Sequence, residues 1–406
     1  MMSIYPTYTV EELIFKGLLE PPLDGNHGQL HPKTSDFKKT GIPFIMANDL
    51  LDGEIQYGTC AYISPQTAGT LRKGFAKPED ILITHKGTIG RTAIVDHKFE
   101  EIVLTPQVTY YRVKKGIDNI FLKYYFDSPY FQAILHSAAG SGSTRPYIGI
   151  TAQRKLPILL PPLVIQKGIV KMLLPFDEKI SNNNKHLKML SEMIFTIYKQ
   201  TFGCVWNTTT SFMGFSISNV FEHVNEVRDK NKEERDYPVL SVVKEGIFKT
   251  SEDVFTKQVY SKSTKNYKIV RRNQVAYNPA RANIGSIAML KEYDVGLVSP
   301  IYTVFEMKDT ITPTFFYYYM KQPIFQEMIK HHAIGTTRQN FPFEAFKMFP
   351  MVVPPMELQL KFEEIAKPIE QKIAKLKEEN EVLAEIRDTL LPKLMSGELP
   401  VEVGEN

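Results

Sequence analysis

The sequence repeats itself at a distance of 193 to 195 residues. The first copy ends in Gly142-Ser143-Thr144-Arg145 followed by Pro161-Pro162, and the second ends in Gly335-Thr336-Thr337-Arg338 followed by Pro354-Pro355. The arginine and the second proline are 17 positions apart in both copies. Because solenoid units are only about 20 to 50 residues long, this period predicts a duplicated domain. Two similar domains in one chain indicate one task performed twice, such as gripping two similar sites on one long ligand.

Each copy reads as mixed α/β structure. Short β-rich runs, such as 80–84 and 102–104, are interrupted by glycine and proline, and a helical pattern rich in aromatic residues follows at 118–138. The second copy repeats this order, with strand-like runs up to Phe305 and an aromatic helix over 314–330. Ile89-Gly90 matches Ile284-Gly285 within these runs.

A long heptad pattern follows the Pro-Pro pair of each copy. Positions 176, 183, 190 and 197 recur every seven residues, and adding 193 to each gives 369, 376, 383 and 390. A helix over about 166–203 is too long for an ordinary globular helix, so the pattern predicts two helices that pair as a coiled coil. An ordinary helical hairpin within a core is the alternative. The residues expected to pack between the helices are Phe176, Ile180, Leu187, Leu190, Ile194, Ile197, Ile369, Ile373, Leu376, Leu383 and Leu390.

Three further expectations concern these helices. Pro175 and Pro368 occupy the same relative position, so each helix is expected to start or kink there. Asn183 lies on the apolar series and is expected to set the register of the pair. If a pseudo-twofold axis relates the two domains, the helices must run antiparallel. The predicted boundaries are 1–160 for the first domain, 161–203 for the central helix, 204–353 for the second domain, 354–398 for the C-terminal helix and 399–406 for a tail.

Composition limits the class of protein. The two cysteines, Cys60 and Cys204, fit a reducing compartment. No apolar run near Met1 reads as a signal peptide and none approaches the length of a membrane span, so a cytoplasmic protein is expected. The net charge is only +4, but basic residues crowd the segment from Lys257 to Arg272, which could form a phosphate-binding face or a solvated surface.

Motifs for catalysis are absent from the sequence. Tyr277-Asn278-Pro279-Ala280 lacks the second proline and the aromatic residue of the adenine methyltransferase tetrapeptide, and 86–90 lacks Walker spacing. His331-His332 are adjacent and would point in different directions on a helix, unlike paired metal ligands. The sequence therefore predicts no catalytic residues and no metal site.

Two divergent domains, each followed by a Pro-Pro-anchored long helix, resemble the specificity subunit of type I restriction–modification enzymes. The resemblance covers nearly the whole chain. Its local motifs are Gly-Ser-Thr-Arg at 142–145 with Pro-Pro-Leu-x-x-Gln at 161–166, Gly-Thr-Thr-Arg at 335–338 with Pro-Pro-Met-x-x-Gln at 354–359, and Leu-Met-Ser-Gly-Glu-Leu at 394–399.

The resemblance implies a mixed α/β fold with two target-recognition domains, separated by a pair of long antiparallel helices and related by an internal pseudo-twofold axis. It implies a non-catalytic subunit in which each domain reads half of a split duplex DNA target and the helices set the unread gap. The implied partners are DNA, two methyltransferase subunits and motor–nuclease subunits. S-adenosylmethionine, ATP and magnesium would belong to those partners, and this chain would carry no cofactor.

Basic and polar residues in the repeated loops are the candidates for DNA contact, because arginine and asparagine can bind base edges bidentately. The shared Thr-Arg could instead join the domain to its helix, and His27 could contact DNA or order a glycine-rich turn. The predicted DNA-binding residues are Arg72, Lys73, His85, Lys86, Thr88, Arg91, Thr144, Arg145, Arg271, Arg272, Tyr277, Arg281, Asn283, Thr337 and Arg338.

Two other functions remain open from the sequence. A standalone DNA-modifying enzyme, either an adenine methyltransferase or a nuclease, predicts activity from the purified chain alone. A coiled-coil scaffold predicts no sequence preference on DNA.

Overall fold

The protein divides into two compact units. The computed structural model describes residues 4–140, 146–203, 215–254, 263–333 and 340–401. Unit 1 comprises Met1–Asn183 together with Glu378–Asn406, and unit 2 comprises Asn184–Lys377. Each unit contains one α/β domain and a part of both long helices.

The domain of unit 1 combines short strands with short helices. Its strands are β1 (Thr7–Thr9), β2 (Leu23–Asp24), β3 (Phe37–Lys38), β4 (Ile42–Ile45), β5 (Leu50–Leu51), β6 (Glu54–Ile55), β7 (Ala61–Ile63), β8 (Phe75–Ala76), β9 (Ile81–Lys86), β10 (Thr88–Ile94), β11 (Ile102–Leu104), β12 (Val108–Tyr111) and β13 (Pro157–Leu159). Its helices are α1 (Val10–Phe15), α2 (Pro65–Gly69), α3 (Asn119–Asp127), α4 (Pro129–Ala138) and α5 (Ile150–Gln153), after which the long helix α6 (Leu163–Phe202) begins.

The domain of unit 2 repeats this plan. Its strands are β14 (Ser216–Asn219), β15 (Val224–Val227), β16 (Leu240–Val242), β17 (Phe248–Thr250), β18 (Lys268–Arg271), β19 (Val275–Tyr277), β20 (Ile287–Met289), β21 (Val295–Val298), β22 (Thr303–Met307) and β23 (Pro350–Val353). Its helices are α7 (Ser251–Val254), α8 (Pro313–Met320) and α9 (Pro323–His332), and the second long helix α10 (Met356–Ser396) follows.

The central sheets of the two units have the same topology. Unit 1 has an antiparallel sheet in the order β2-β12-β9-β10, and unit 2 has one in the order β15-β22-β19-β20. Each unit also has a two-stranded antiparallel sheet, β1-β13 in unit 1 and β14-β23 in unit 2. The second strand of each sheet directly precedes a long helix. Unit 1 also has a five-stranded sheet, β3-β7-β4-β11-β8, in which β4 and β11 are parallel. The duplication predicted from the sequence is therefore present in the fold.

Capping residues determine where the aromatic helices begin. The Asp118 side chain accepts a hydrogen bond from the Phe121 backbone N–H at the start of α3, and Thr312 does the same for Phe315 at the start of α8. Each cap satisfies a backbone donor that a helix leaves without an internal partner. The helices α3 and α8 then bury aromatic faces in the main core of their own unit.

The two long helices are continuous over 40 and 41 residues, about 60 Å each. Pro175 and Pro368 lie inside them, so of the expected start or kink at each proline the start is wrong and the kink stays a prediction. Of the eleven residues expected to pack between the helices, Ile194 and Leu376 are buried and the others are half-buried. In the described part of the chain, no helix combines the length and the apolarity that a bilayer crossing demands.

Polar contacts show that the helices run antiparallel in unit 1. Asp177 of α6 accepts a hydrogen bond from Arg387 of α10 at 2.6 Å, and Asn183 donates to Asn380 Oδ1 at 2.9 Å. Residue numbers rise along one helix while they fall along the other. Asn183 is fully buried and also donates to Glu379 at 3.0 Å. A buried polar pair of this kind disfavours other registers, because sliding the helices would leave its amide unsatisfied.

Candidate nucleic-acid interface

The β9–β10 hairpin places three predicted DNA-binding residues at one edge of unit 1. Lys86 pairs with Thr88 across Gly87, which adopts a positive φ of 78° that favours glycine. Lys86 and Thr88 are exposed at this turn, and the ammonium of Lys86 lies 5.8 Å from the centre of the Tyr147 ring. Arg91 lies at the irregular part of the hairpin, where its guanidinium donates to the Leu50 carbonyl at 3.3 Å.

A buried carboxylate organises the cations next to this turn. Asp24 on β2 is only 2% exposed, and one of its oxygens accepts a hydrogen bond from His27 at 2.8 Å while the other accepts one from Lys73. Burial opposes the ionisation of Asp24, but the hydrogen bonds from Lys73 and His27 outweigh it and hold its pKa below the usual value. Asp24 thus fixes two basic side chains that are themselves partly exposed.

Two loops meet at this carboxylate. The Asn26 side chain donates to the Lys73 carbonyl at 2.6 Å and accepts from the Arg72 backbone N–H at 3.0 Å. At Gly74 a Cβ atom would lie 2.7 Å from the Gly25 Cα, so the loops approach more closely than a larger residue allows. Arg72 is exposed, and among the described residues its guanidinium makes no hydrogen bond or ion pair, which leaves it available to an anion. We call His27, Arg72, Lys73 and Lys86 the unit 1 basic cluster.

His85 supports this cluster from inside. It is 0% exposed, its Nδ1 donates to the Ile148 carbonyl at 2.9 Å, and its Nε2 lies 4.0 Å from Asp24. Burial lowers the pKa of His85, which favours the neutral ring. A side chain in this position cannot reach a base edge, so the prediction that His85 contacts DNA is not supported by its placement.

Unit 2 has a longer loop at the equivalent hairpin. Between β19 and β20 the chain forms a short 3-10 turn at Ala282–Ile284 and then Gly285, whose φ is 99°. Arg281 is exposed on this loop and Asn283 is half-buried. The structure therefore places Arg281 and Asn283 where unit 1 has Lys86 and Thr88, at the same end of the equivalent strands.

Arg271 and Arg272 lie at the other end of the same hairpin, before β19 begins. Arg271 forms an ion pair with Asp229 at 2.8 Å, and Arg272 forms one with Asp294 at 2.8 Å. Arg272 also donates to the backbone carbonyl of Lys291. Because each guanidinium already pairs with a neighbouring carboxylate, this placement does not support the prediction that Arg271 and Arg272 contact DNA.

Tyr277 belongs to the core of unit 2. It is 0% exposed, and its ring packs edge-to-face on Phe305, Phe341 and Phe346. Burial raises the pKa of its hydroxyl above the usual value. An aromatic ring packed on three others is not available to stack on a base, so the expected DNA contact is corrected to a core position.

A conservative substitution checks this correction. We expect Tyr277→Phe to leave DNA sequence preference unchanged, because it keeps the ring that fills the core and removes only the hydroxyl. Methylation mapping in cells that carry the variant measures the preference at every base of the target. A changed preference at any base of the target would show that Tyr277 contributes to base recognition.

The remaining predicted residues, Thr144, Arg145, Thr337 and Arg338, lie outside the described residues. Within the described ranges, no group of three or more His, Cys, Asp or Glu side chains is arranged to hold a metal ion. The sequence alone did not single out Asp24 or Asn26 as functional. The clue was the polar turn 24–28, but its partners are 46 to 49 residues away in the sequence.

Comparison with known proteins agrees with the two-domain α/β fold. The family model described as "Type I restriction modification DNA specificity domain" matches residues 26–192 and again residues 211–386. The chain belongs to this family of DNA specificity domains. The resemblance identified from the sequence motifs is therefore confirmed, as is the mixed α/β class with two similar domains.

Two individual relatives show how far the similarity to this specificity family extends. The type I restriction enzyme MjaIX specificity subunit of Methanocaldococcus jannaschii is 23% identical over 402 residues, covering 91% of this chain and 89% of that protein. The crystal structure of the type I restriction–modification S subunit from M. genitalium has a TM-score of 0.55 and 17% identity, covering 97% of this chain and 96% of that one. The similarity to the M. genitalium structure is evidence for the fold only.

Proposed function

We propose that this chain is the non-catalytic recognition subunit of a type I restriction–modification complex, in which each domain reads one half of an asymmetric split target in duplex DNA. The observation that carries the proposal is that the two units have equivalent backbone hairpins with different side chains at the turn. Equivalent hairpins present Lys86 and Thr88 in unit 1 but Arg281 and Asn283 in unit 2. Equivalent backbones position the two domains on DNA in a similar way, whereas different side chains select different bases.

Charge at the two hairpins supports contact with DNA. The unit 1 basic cluster carries several cationic groups around one buried carboxylate, and Arg281 is exposed in unit 2. Phosphate contacts from such groups supply the sequence-independent part of binding, and base-edge contacts add about 1–3 kcal/mol of discrimination for each base pair. Two half-sites together reach a specificity that one domain of this size cannot.

The long helices suit the role of a spacer that also binds protein partners. Both carry exposed apolar side chains away from their packed side, including Met189 and Met193 on α6, and Ile365, Val382 and Ile386 on α10. Exposed apolar side chains at helical spacing are typical of a surface that another subunit covers. The proposed partners are two methyltransferase subunits with S-adenosylmethionine, and motor–nuclease subunits that use ATP and magnesium, in the cytoplasm.

Methylation mapping tests the proposal directly. In cells that carry this chain with its neighbouring methyltransferase, single-molecule sequencing should reveal adenine methylation at one split, asymmetric motif. Deleting only this chain should abolish that methylation, because the methyltransferase then has no recognition element. Unchanged methylation after the deletion would overturn the recognition role and favour a scaffold.

A further inference from the structure

A glutamine at the start of each long helix makes the same three hydrogen bonds in both units. In unit 1 the side chain of Gln166, which is fully buried, accepts from the backbone N–H of Asp118 at 2.8 Å. Its amide donates to the Pro161 carbonyl at 2.8 Å and to the Gly116 carbonyl at 3.2 Å. One side chain thus joins α6 to the loop that starts α3.

In unit 2 the corresponding residue is Gln359, which is also fully buried. It accepts from the backbone N–H of Thr312 at 2.8 Å, and its amide donates to the Pro354 carbonyl at 2.8 Å and the Thr310 carbonyl at 3.3 Å. Asp118 and Thr312 are the N-cap residues of α3 and α8. In each unit the long helix is therefore joined to the N-terminus of the corresponding short helix, α3 or α8.

A tyrosine in the second turn of each short helix makes a second attachment. The hydroxyl of Tyr124 on α3 donates to Asp177 of α6 at 2.6 Å, and the hydroxyl of Tyr318 on α8 donates to Glu370 of α10 at 3.1 Å. Each carboxylate lies eleven residues beyond the glutamine of its helix, which is about 16 Å along the helix axis. Both tyrosines are 5% exposed or less.

A cation holds each of these carboxylates in place, but its source differs. In unit 1 Arg387 of α10 donates to Asp177 at 2.6 Å, and in unit 2 the ammonium of Lys291 lies 3.8 Å from Glu370. Lys291 comes from the loop after β20 rather than from a long helix. Different residues therefore pair with the equivalent carboxylate in the two units.

We propose that these two attachments fix the direction in which each domain is held on its long helix, and that they thereby determine which gap length the protein accepts. Gln166 and Tyr124 in unit 1, and Gln359 and Tyr318 in unit 2, are positioning residues for gap selection. This inference rests on the proposed function, because only a protein that reads a split target has a gap to select.

The geometry of B-DNA explains why two attachments are needed. Changing the gap by 1 bp displaces a half-site by about 3.4 Å and rotates it by about 34° around the duplex axis. A domain held at one point could tilt along its long helix to follow that displacement. Two points about 16 Å apart along the helix resist such a tilt, so a site with the wrong gap must strain the protein or the DNA.

Tyrosine-to-phenylalanine exchanges test this inference with a matched control. The test variant combines Tyr124→Phe with Tyr318→Phe, which keeps both rings and removes the bonds to the long helices. The control combines Tyr125→Phe with Tyr319→Phe. These neighbours are equally buried, and their hydroxyls donate to the carbonyls of Pro157 and Pro350 within the domains, at 2.9 and 3.2 Å.

Each protein is assembled with its methyltransferase and given duplexes that carry the native gap, one base pair fewer or one base pair more. We expect the test variant to raise the ratio of off-gap to native-gap methylation about fivefold, which corresponds to about 1 kcal/mol, with both half-sites unchanged. We expect the control variant to leave that ratio unchanged.

The outcomes separate the inference from the function on which it rests. If the unmodified chain directs methylation to a split site but the test variant keeps its gap ratio, the attachments do not select the gap and the inference fails alone. An equal change in the test and control variants also overturns it, because any lost hydrogen bond would then suffice. If the unmodified chain directs no methylation to a split site, the proposed function fails, and the inference fails with it.

Discussion

A matched insertion of four residues into both long helices is expected to lengthen the unread gap by one or two base pairs and to leave both half-sites unchanged. The insertions go between Asn183 and Asn184 in α6 and between Lys377 and Glu378 in α10, where the two units meet in the sequence. Four residues add about 6 Å of helix, against about 3.4 Å for each base pair.

The position of the insertion preserves the helix contacts of each unit. The bond between Asn183 and Asn380 stays within unit 1, and the packing of Tyr198 on Phe362 stays within unit 2. A four-residue insertion unwinds a coiled coil only locally. We expect the preference for the native gap over the longer one to reverse by more than about tenfold, since a misplaced half-site loses contacts of about 1–3 kcal/mol each.

The control inserts the same four residues into α6 alone. The antiparallel pairing cannot then be kept in both units at once, so we expect loss of methylation rather than a longer gap. Both proteins are measured by methylation mapping of the same genome. If the doubly inserted protein recognises a different base in either half-site, the spacer role of the helices is refuted.

Removing two cations of the unit 1 basic cluster is expected to weaken binding to the target by about a hundredfold. The variant combines Arg72→Ala with Lys86→Ala, and both side chains are exposed, Lys86 at the turn of the β9–β10 hairpin and Arg72 on the loop that binds Asn26. Two lost DNA contacts of about 1–2 kcal/mol each add up to about 3 kcal/mol, and 1.4 kcal/mol is a factor of ten. The slope of binding against salt concentration should also fall, since fewer counterions are released.

A matched control removes two positive charges from the other end of the same domain. Lys77 and Lys115 are exposed, and they lie beyond the opposite ends of β9 and β12 from the hairpin turn. We expect Lys77→Ala with Lys115→Ala to change affinity less than about threefold, through long-range charge alone. Binding is measured on the native duplex and on duplexes with one half-site scrambled. Equal losses in the two variants would show that net charge, and not the cluster, drives binding.

The sequence predicted the parts of this fold that rest on periodicity. The repeat distance and the in-phase heptads identified two similar domains and two long helices, because a duplicated plan leaves the same spacing in both copies. The start of each helix at Pro175 or Pro368 was wrong, since each of these prolines is tolerated inside its helix with one missing backbone hydrogen bond.

Candidates for DNA contact were harder to predict because tertiary packing decides which side chains face outward. Tyr277 reads as a residue that could stack on a base, yet Phe305 and Phe341 enclose it. Arg271 and Arg281 are ten residues apart, but the β19–β20 hairpin places them at opposite ends of one strand. Asp24 becomes important only when folding brings Lys73 to it from 49 residues away.

The division of the chain into units also has a consequence for biosynthesis. Leu391, Leu394 and Met395 from the end of α10 complete the same core that contains Ile169 and Leu173 of α6. Leu391 follows Leu173 by 218 residues, so at roughly 5–20 residues per second a ribosome needs about 10 to 40 s to supply it. During that interval the nascent N-terminal domain exposes an apolar face that only the last part of the chain covers. A message truncated within α10 therefore yields a first domain that a chaperone must shield, even though every residue of that domain's sheets has been made.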